Sequence, residues 1–233
     1  MIRVGRITYE NNKKIIPFHP DFKVIEVMTQ STQYSSLSPY SLSDNKGRIL
    51  ENLWQFSKVY KEVPASIQRY SRYDNKVIWQ HSAEKHVDEK EELTKEYWRW
   101  RNKGFNNKYA VRYPVGYNNR HKCLYSIWNK KKLDYISARF EIYIPLYLDM
   151  VKTKPQFLEL KELLKQGQNL LIVEVDGPHF ESLEYYKTNY NVNDDFITEN
   201  NTVLINEDSL NIFANEPKHS NGHRYCLVLA LLD

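Results

Sequence analysis

The stretch ENLWQFSKVY, residues 51–60, carries three side chains whose types and spacing could do chemistry. Glu51, Gln55 and Lys58 recur at helical spacing, so on an α-helix they lie within about 60° of one another. A carboxylate can stabilise developing positive charge or act as a general base, and a lysine of lowered pKa can act as a nucleophile. The alternative is that these residues form only the solvated face of an amphipathic helix.

Two features favour a site over a solvated face. Trp54 lies about 60° from Glu51 on the same helix, and a tryptophan beside a fully solvated face is unusual. The preceding loop, residues 29–47, is rich in Ser and Tyr, as is typical of the rim of a ligand site. An apolar stripe on the opposite side supports the helix itself; it consists of Ile49, Leu53, Phe56 and Tyr60.

Histidines offer a second hypothesis. His219 and His223 have i, i+4 spacing, but Asn221–Gly222 between them favours a turn, and a metal site needs three or four convergent ligands. A metal-dependent hydrolase is therefore the weaker alternative, and no metal is expected. The motif DGPH, residues 176–179, follows a buried apolar run, where a carboxylate and a histidine are either functional or part of a plain turn.

The length and composition are typical of a globular protein that buries a hydrophobic core. The chain has 233 residues, of which 41% are hydrophobic and 27% charged, with only 7 Gly. Its longest apolar run, 226–232, is far shorter than the ~20 residues of a membrane span. Two cysteines without CxxC spacing suggest neither a disulfide framework nor a zinc ribbon. The start of the chain lacks the pattern of a signal peptide, so we expect a cytoplasmic protein without membrane contact.

Aromatic residues and arginines are interleaved, as in QRYSRY (68–73) and YWRWR (97–101). Stacking rings beside cations suit nucleobases and phosphates. The net charge of +4 is only a mild bias, and an AT-rich genome would also produce many Tyr, Lys and Asn codons. We predict a basic aromatic rim that receives phosphates, formed by Arg69, Arg72, Arg99, Arg101 and Arg112.

The patterns predict an α+β fold that is dominated by helices and has a small β component, in one domain spanning 1–233. Strands are expected at 22–27 and 169–175, and a polar loop at 186–201. A long insertion covers about 62–132, and its last part, 102–132, is expected to be irregular. Helices are expected in the opening stretch and at 86–101, 137–152, 155–167 and 222–232. The spacing at 137–152 favours a helix bent or restarted at Pro145, although a strand is the alternative there and at 222–232.

Residues 37–60, LSPYSLSDNKGRILENLWQFSKVY, resemble the first signature of the NADAR superfamily, whose name refers to NAD and ADP-ribose. In that signature a short SNFxP-like loop and a turn containing Gly lead into a helix of the form E-H-x-x-Q-x-x-K. Here the loop is SLSPY (36–40) and the turn is DNKG (44–47). Glu51, Gln55 and Lys58 keep the helical spacing, and Asn52 replaces the usual His.

Two later blocks continue the resemblance in the same order. Residues 145–178 are similar to the family's helix, proline-started helix and strand, and residues 221–232 are similar in outline to its terminal helix. Arg224 stands where the family has Asn, and Asp176–Gly177–Pro178 replaces a D-x-x-W-G motif. Over roughly a third of its length, the chain thus resembles a divergent NADAR member with a long insertion.

The resemblance implies a NADAR-like domain that hydrolyses N-glycosides. Family members remove ADP-ribose from modified guanine in nucleic acid, or cleave N-glycosidic bonds in phosphorylated riboflavin intermediates. The expected substrate is ADP-ribose-like or another nucleotide, with DNA modification as one context and no cofactor. The alternative is a non-catalytic module that binds nucleic acid or ADP-ribose.

The resemblance also implies roles for individual residues. Lys58 is the expected nucleophile or acid, and Glu51 its electrostatic or general-base partner. Gln55 would position the ribose, and Trp54 or Tyr40 would stack on a base. The remaining substrate-binding candidates are Ser38, Asp176 and Arg224.

Overall fold

The computed structural model describes residues 1–29, 33–219 and 222–233, and the chain divides into two units. Unit 1 comprises Met1–Ser38 and Tyr147–Asp233, and unit 2 comprises Pro39–Leu146. The predicted insertion therefore lies wholly within unit 2. Part of the predicted loop 29–47 and the start of the third resembling block, Asn221, lie outside the described residues.

The strands are β1 Ile2–Arg6, β2 Thr8–Glu10, β3 Lys13–Ile15, β4 Phe22–Glu26, β5 Lys58–Tyr60, β6 Glu62–Val63, β7 Ser66–Ser71, β8 Asp74–His81, β9 Glu84–Lys85, β10 Cys123–Trp128, β11 Lys131–Leu133, β12 Asn169–Glu174 and β13 Thr202–Leu204. The helices are α1 Leu50–Gln55, α2 Lys95–Phe105, α3 Tyr135–Ala138, α4 Ile144–Val151, α5 Pro155–Lys165, α6 Leu183–Tyr190, α7 Glu207–Asn215 and α8 Gly222–Leu232.

The prediction of a helix-dominated fold is wrong. The fold is mixed, with 37% of the described residues helical and 26% in strands. Five of the strands that were not predicted, β6 to β10, lie in the stretch interpreted as an insertion, where β7 and β8 form a hairpin and β6 pairs with β9. Strand formation there depends on cross-strand packing, which hydrophobic periodicity alone does not reveal.

Unit 1 is built on a four-stranded sheet in the order β13-β1-β12-β4. Strands β1, β12 and β4 are parallel, and β13 is antiparallel to β1. The run from Leu170 to Val173 is buried throughout, as expected of a parallel strand covered on both faces. Helices α5 and α8 pack against β12, which places the start of α8 near the carboxyl end of this strand.

Unit 2 surrounds an aromatic core. Strand β10 lies between β5 and β11 in an antiparallel sheet. Phe56 contacts Trp79 and Trp100, with each pair of ring centroids 4.6 Å apart. Gly104 of α2 lies against the Phe56 ring, where any side chain would overlap it.

Several elements agree with the sequence patterns. The strands at 22–26 and 169–174 and the helices at 155–165 and 222–232 are confirmed, with Pro155 in the first turn of α5. The helical interpretation of 137–152 is also confirmed. That segment contains a π-helical turn at Arg139–Tyr143, and Pro145 lies at the start of α4.

Three other predictions are wrong. The helix expected at 86–101 begins at Lys95, because Thr94 caps it and Asp88 instead closes a turn by accepting from the Lys90 and Glu92 amides. The polar loop expected at 186–201 begins with the end of α6, and the stretch 102–132 contains β10. Over the described residues, no helix has both the length and the apolar character that crossing a membrane requires.

Candidate active site

The opening stretch is not one continuous helix. Helix α1 ends at Gln55, and Lys58 begins strand β5, which pairs with β10. The Ser57 hydroxyl donates to the Trp54 carbonyl over 2.8 Å and closes the end of the helix. The turn at Phe56–Ser57, and not helical spacing, therefore determines where Lys58 lies.

The three candidate side chains are nevertheless joined by hydrogen bonds. Gln55 Nε2 donates to Glu51 Oε1 over 2.9 Å, and Lys58 Nζ donates to Gln55 Oε1 over 3.0 Å. Glu51 is only 6% exposed, while Gln55 and Lys58 are half-buried. These residues are therefore not a solvated helix face. Together with Trp54 they are called the lysine cluster below.

Aromatic rings form the surroundings of the lysine amine. Lys58 Nζ lies 4.8 Å from the Trp54 ring centroid, within reach of a cation–π contact. The Trp54 ring in turn packs against Tyr143 at 5.3 Å and Tyr135 at 6.1 Å. The amine is thus held between an amide oxygen and an indole face.

Burial lowers the pKa of Lys58, although the charges of Cys123 and Glu51 act in the opposite direction. Cys123 is a free cysteine at the start of β10, and burial raises the pKa of its thiol. Sequence reasoning missed this neighbour because only the pairing of β5 with β10 brings it near Lys58.

Asn52, which replaces the histidine of the family signature, is a buried anchor. Its Nδ2 donates to the carbonyls of Asn107 and Tyr109 over 3.0 and 2.9 Å, and its Oδ1 accepts from the Val111 amide over 2.9 Å. These bonds hold the loop after α2 against α1. The residue therefore has a structural role and no titratable group.

The turn and loop before α1 are also well ordered by hydrogen bonds. Asp44 accepts from the backbone amides of Lys46 and Arg48, and its carboxylate lies 2.7 Å from the Arg48 guanidinium. The Glu51 amide donates to the Pro39 carbonyl over 3.1 Å. The segment that resembles the family signature thus directs Glu51 through backbone contacts.

The other predicted binding residues are divided between the units. Tyr40 belongs to unit 2 and is half-buried, whereas Ser38, Asp176 and Arg224 belong to unit 1. Ser38 is buried and its hydroxyl lies 3.1 Å from that of Thr29. Asp176 is half-buried, and Arg224 is 1% exposed.

Unit 1 contains a buried charge cluster formed by Glu174, His223 and Arg224. His223 Nδ1 lies 2.7 Å from Glu174 Oε2, and His223 Nε2 lies 2.9 Å from the Val27 carbonyl. Both ring nitrogens therefore face oxygen atoms that can accept a hydrogen bond, an arrangement that favours the imidazolium form. Burial alone would lower the pKa of His223, but Glu174 raises it above its ordinary value.

Two glycines make room for this cluster. A side chain at Gly177 would overlap the Arg224 guanidinium, which donates to the Gly5 carbonyl. A side chain at Gly222 would overlap the Glu174 carboxylate. Both glycines have positive φ, at 127° and 57°, which disfavours other residues further. The Gly of DGPH therefore has a packing role.

The histidines offered for a metal site have other partners. His223 is engaged by Glu174, and His219 lies 3.8 Å from the Glu216 carboxylate and packs on the Tyr185 ring. Within the ranges that the structure describes, no three His, Cys, Asp or Glu side chains are grouped so that they could hold a metal ion.

The arginines of the predicted rim occupy different surroundings in unit 2. Arg99 pairs with Glu96 over 2.9 Å, and Arg101 is half-buried 4.7 Å from the Phe105 ring. Arg69 and Arg72 are exposed on the β7–β8 hairpin, and Arg112 packs on the Tyr113 ring.

No protein-family model matches the chain, and neither a curated protein nor a solved structure does. The lysine cluster, with the signature residues that it contains, is therefore the feature of the molecule that points to a function.

Proposed function

We propose that the protein is an N-glycoside hydrolase that cleaves a ribosyl N-glycosidic bond, with an ADP-ribosyl or related nucleotide group as the sugar. One observation carries the proposal: the Lys58 amine is half-buried, has a lowered pKa and is hydrogen-bonded through Gln55 to the buried Glu51. The NADAR-like signature over 37–60 supports the same reaction class.

The first step forms a bond between the neutral Lys58 amine and C1′ of the ribose. The C1′–N bond breaks, its electron pair passes to the leaving base, and the base takes a proton. The developing positive charge on the sugar is stabilised by a nearby carboxylate, the role we assign to Glu51. The substituted amine passes its extra proton to the leaving base, the C1′–O4′ bond breaks as Nζ forms a double bond to C1′, and O4′ takes a proton from solvent; water then hydrolyses this Schiff base to release the sugar and restore Lys58.

Gln55 has a specific role in this scheme. Its neutral amide separates the Glu51 carboxylate from the amine, and Coulomb attraction between two charges falls with distance. Glu51 therefore stabilises the ammonium form of Lys58 less than direct contact would. The face of Trp54 favours the ammonium as well, so burial is the effect that makes the neutral amine accessible.

The proposal is tested by incubating the protein with ADP-ribosylated DNA, ADP-ribosylated RNA and free nucleotides, and analysing the products by mass spectrometry. We expect release of the sugar or the base from one of these substrates. Lys58→Arg should keep the charge but lower the rate ~10²–10⁴-fold, the usual effect of losing one such group. Borohydride should trap a sugar adduct on the wild type and none on this variant.

The matched control is Lys131→Arg, which changes an exposed lysine of the same unit that pairs with Glu141. This control should leave the rate unchanged. A fully active Lys58→Arg protein would refute the lysine mechanism and leave Glu51 acting on water.

The second candidate is a non-catalytic module that binds nucleic acid or ADP-ribose. Exposed aromatic rings in contact with cations on unit 2, such as Tyr73 with Arg72, favour it. Lys58→Ala separates the two functions, because a binding module loses only part of its affinity whereas an enzyme loses turnover.

A further inference from the structure

The β7–β8 hairpin of unit 2 carries several large apolar side chains that are exposed to solvent. Ile67 and Val77 are 64% and 44% exposed, and near the turn Tyr70 and Tyr73 are 58% and 81% exposed. Large exposed apolar side chains that are contiguous mark an interaction surface more often than scattered ones do. The inner face of the hairpin carries the buried Trp79 and belongs to the core.

A second segment, residues 106–122, runs beside this hairpin. Asn107 Nδ2 donates to the Ile78 carbonyl over 2.8 Å, and the Tyr113 amide donates to Gln68 Oε1 over 3.3 Å. The Ser66 hydroxyl donates to the Pro114 carbonyl over 2.7 Å. The hairpin and this segment therefore form one surface, called the hairpin surface below.

Cations and aromatic rings alternate over the hairpin surface. Arg72 lies 4.5 Å from the Tyr73 centroid, and Arg120 lies 3.6 Å from that of Tyr117. The other cation–ring pairs are Lys76 with Tyr109 at 4.5 Å, Lys108 with Tyr109 at 5.2 Å and Arg112 with Tyr113 at 5.1 Å. Such pairs hold flat rings beside positive charges.

The hairpin surface is much more basic than the chain as a whole. Residues 66–82 and 106–122 contain seven Arg or Lys and a single acidic residue, Asp74, a balance of +6 against +4 for the whole chain. The rest of the protein is thus slightly acidic, and the positive charge is concentrated where the exposed rings are. This distribution is complementary to a polyanion.

We propose that the hairpin surface binds single-stranded nucleic acid, which would make a single strand the substrate class of the hydrolase proposed above. The identification of a single strand as the substrate rests on that proposed function, whereas the binding of a single strand to the hairpin surface does not. Exposed tyrosines can stack on bases whose faces are free, and the neighbouring cations can contact the phosphates between them. A duplex hides its base faces, so the rings would contribute little to binding it.

The hairpin surface is connected to the lysine cluster through strand β10. Segment 106–122 ends at Lys122, and the next residue, Cys123, begins β10, which pairs with the strand of Lys58. The hairpin surface and the candidate active site therefore belong to the same unit and are linked through β10.

The binding test uses the full chain carrying Lys58→Arg, so that turnover does not interfere. Fluorescence anisotropy is measured with unmodified 15-nucleotide single-stranded DNA, single-stranded RNA and the corresponding DNA duplex, over a series of salt concentrations. We expect tighter binding of one or both single strands than of the duplex, with an affinity that falls steeply with salt.

Variants of exposed residues identify the surface. Tyr70→Ala together with Tyr73→Ala should weaken single-strand binding about 10–100-fold, because two stacking rings are lost. Arg72→Gln together with Lys76→Gln should reduce the salt dependence. The matched controls are Tyr9→Ala, an equally exposed tyrosine of unit 1, and Lys131→Gln; both should bind as the parent does.

Four outcomes would overturn the inference: no binding at low salt, equal affinity for duplex and single strand, unchanged binding by the double tyrosine variant, or equally tight binding of polyglutamate, which indicates an acidic protein partner. The proposed hydrolase activity and the proposed strand binding can be refuted independently of each other. Strand binding without any hydrolysis would refute only the enzyme, and hydrolysis of free nucleotides without strand binding would refute only the inference.

Discussion

In unit 1 the buried His223 imidazole lies 2.7 Å from the Glu174 carboxylate, whereas in unit 2 the buried His86 imidazole lies against the rings of Tyr97 and Trp100 and has the Glu84 carboxyl group 3.2 Å from its Nε2. Burial acts to lower the pKa of both histidines. The carboxylate reverses this effect and raises the pKa of His223, while the pKa of His86 falls to about 3. Glu84 does not offset burial of His86 as Glu174 does for His223, because burial also raises the pKa of Glu84, to about 7, and so favours its uncharged form.

Burial also favours the uncharged form of other titratable groups in unit 2. Burial lowers the pKa of Lys58, and burial together with Glu96 raises the pKa of Glu84 to about 7. Both shifts favour the uncharged form. Neutral amines and protonated carboxyls near neutral pH are what nucleophilic and acid–base catalysis require. Unit 1 pairs its buried charges, so it is suited to structure, and unit 2 is the better place for chemistry.

The comparison is tested most strongly by changing one carboxylate in each unit. Glu174→Gln leaves the buried His223 imidazolium without its counter-charge, and breaking such a pair costs about 3–5 kcal/mol of stability. Glu51→Gln should cost less than about 1 kcal/mol, because the amide of Gln55 can hydrogen-bond to another amide as well. The free energy of unfolding is measured by urea denaturation at pH 7.

Similar losses in both variants would show that Glu51 is also part of a direct charge pair and would remove the distinction between the units. A change in the urea slope of either variant would mean that it also alters the surface exposed on unfolding.

Acid should destabilise the protein through His86, whereas its neighbour Glu84 acts in the opposite direction because its folded pKa is raised. Because its folded pKa is depressed, the unfolded state takes up a proton below about pH 6.5 while folded His86 stays neutral until about pH 3. Its contribution is present above pH 6.5 and is lost as the pH falls toward 3, by about 3 kcal/mol at pH 4. The His86→Gln variant can still accept a hydrogen bond from the Tyr60 amide, as His86 does over 3.3 Å. Its free energy of unfolding should fall less steeply as the pH is lowered.

His223 has the opposite sign and serves as the comparison. Its folded pKa is raised, so its contribution is complete below its unfolded pKa and is lost as the pH rises through the folded pKa. In His223→Gln the free energy of unfolding should therefore fall less steeply as the pH rises, and its dependence on pH in acid should be unchanged. If His86→Gln loses stability in acid as steeply as the wild type does, His86 is not the group responsible for this loss.

The smallest expected effect concerns the neutral spacer in the lysine cluster. Gln55→Glu places a carboxylate against Lys58 Nζ, as Glu174 lies against His223, and should raise the pKa of Lys58 by about 1 unit or more. The pH–rate profile should move to higher pH by the same amount, with a rate at pH 7 about 10-fold lower. The control is Gln166→Glu, an exposed position of unit 1, and an unshifted profile for Gln55→Glu would exclude Lys58 as the titrating group.

The elements with local signals were predictable from the sequence. Pro155 at the start of α5 and the apolar run of β12 determine those elements within a few residues. The helix expected at 86–101 shows the limit, because its acidic residues matched a helix dipole, yet the hydrogen bonds of Asp88 and the cap at Thr94 decide the structure. Strand β5 of unit 2 pairs with β10, more than 60 residues away, and this pairing has little local signal in the sequence.

The candidate site was predictable in part for the same reason. Glu51 and Gln55 follow from helical spacing, and Lys58 reaches Gln55 through a turn that the spacing did not reveal. The neighbourhood of Cys123 and the pairing of Glu174 with His223 depend on contacts between remote segments. The local sequence pattern at these positions does not indicate such long-range contacts, so they could not be predicted.

The division of the chain also sets an order of events during synthesis. Unit 2 is one uninterrupted stretch, whereas strand β1 of unit 1 pairs with β12 and β13 from the far end of the chain. At 5–20 residues per second, β1 leaves the ribosome on the order of 10–30 s before β12. Unit 2 can complete its own contacts in that interval, while the unpaired edges of β1 are open to other chains. The nascent protein should thus depend on chaperones mainly for its first strand.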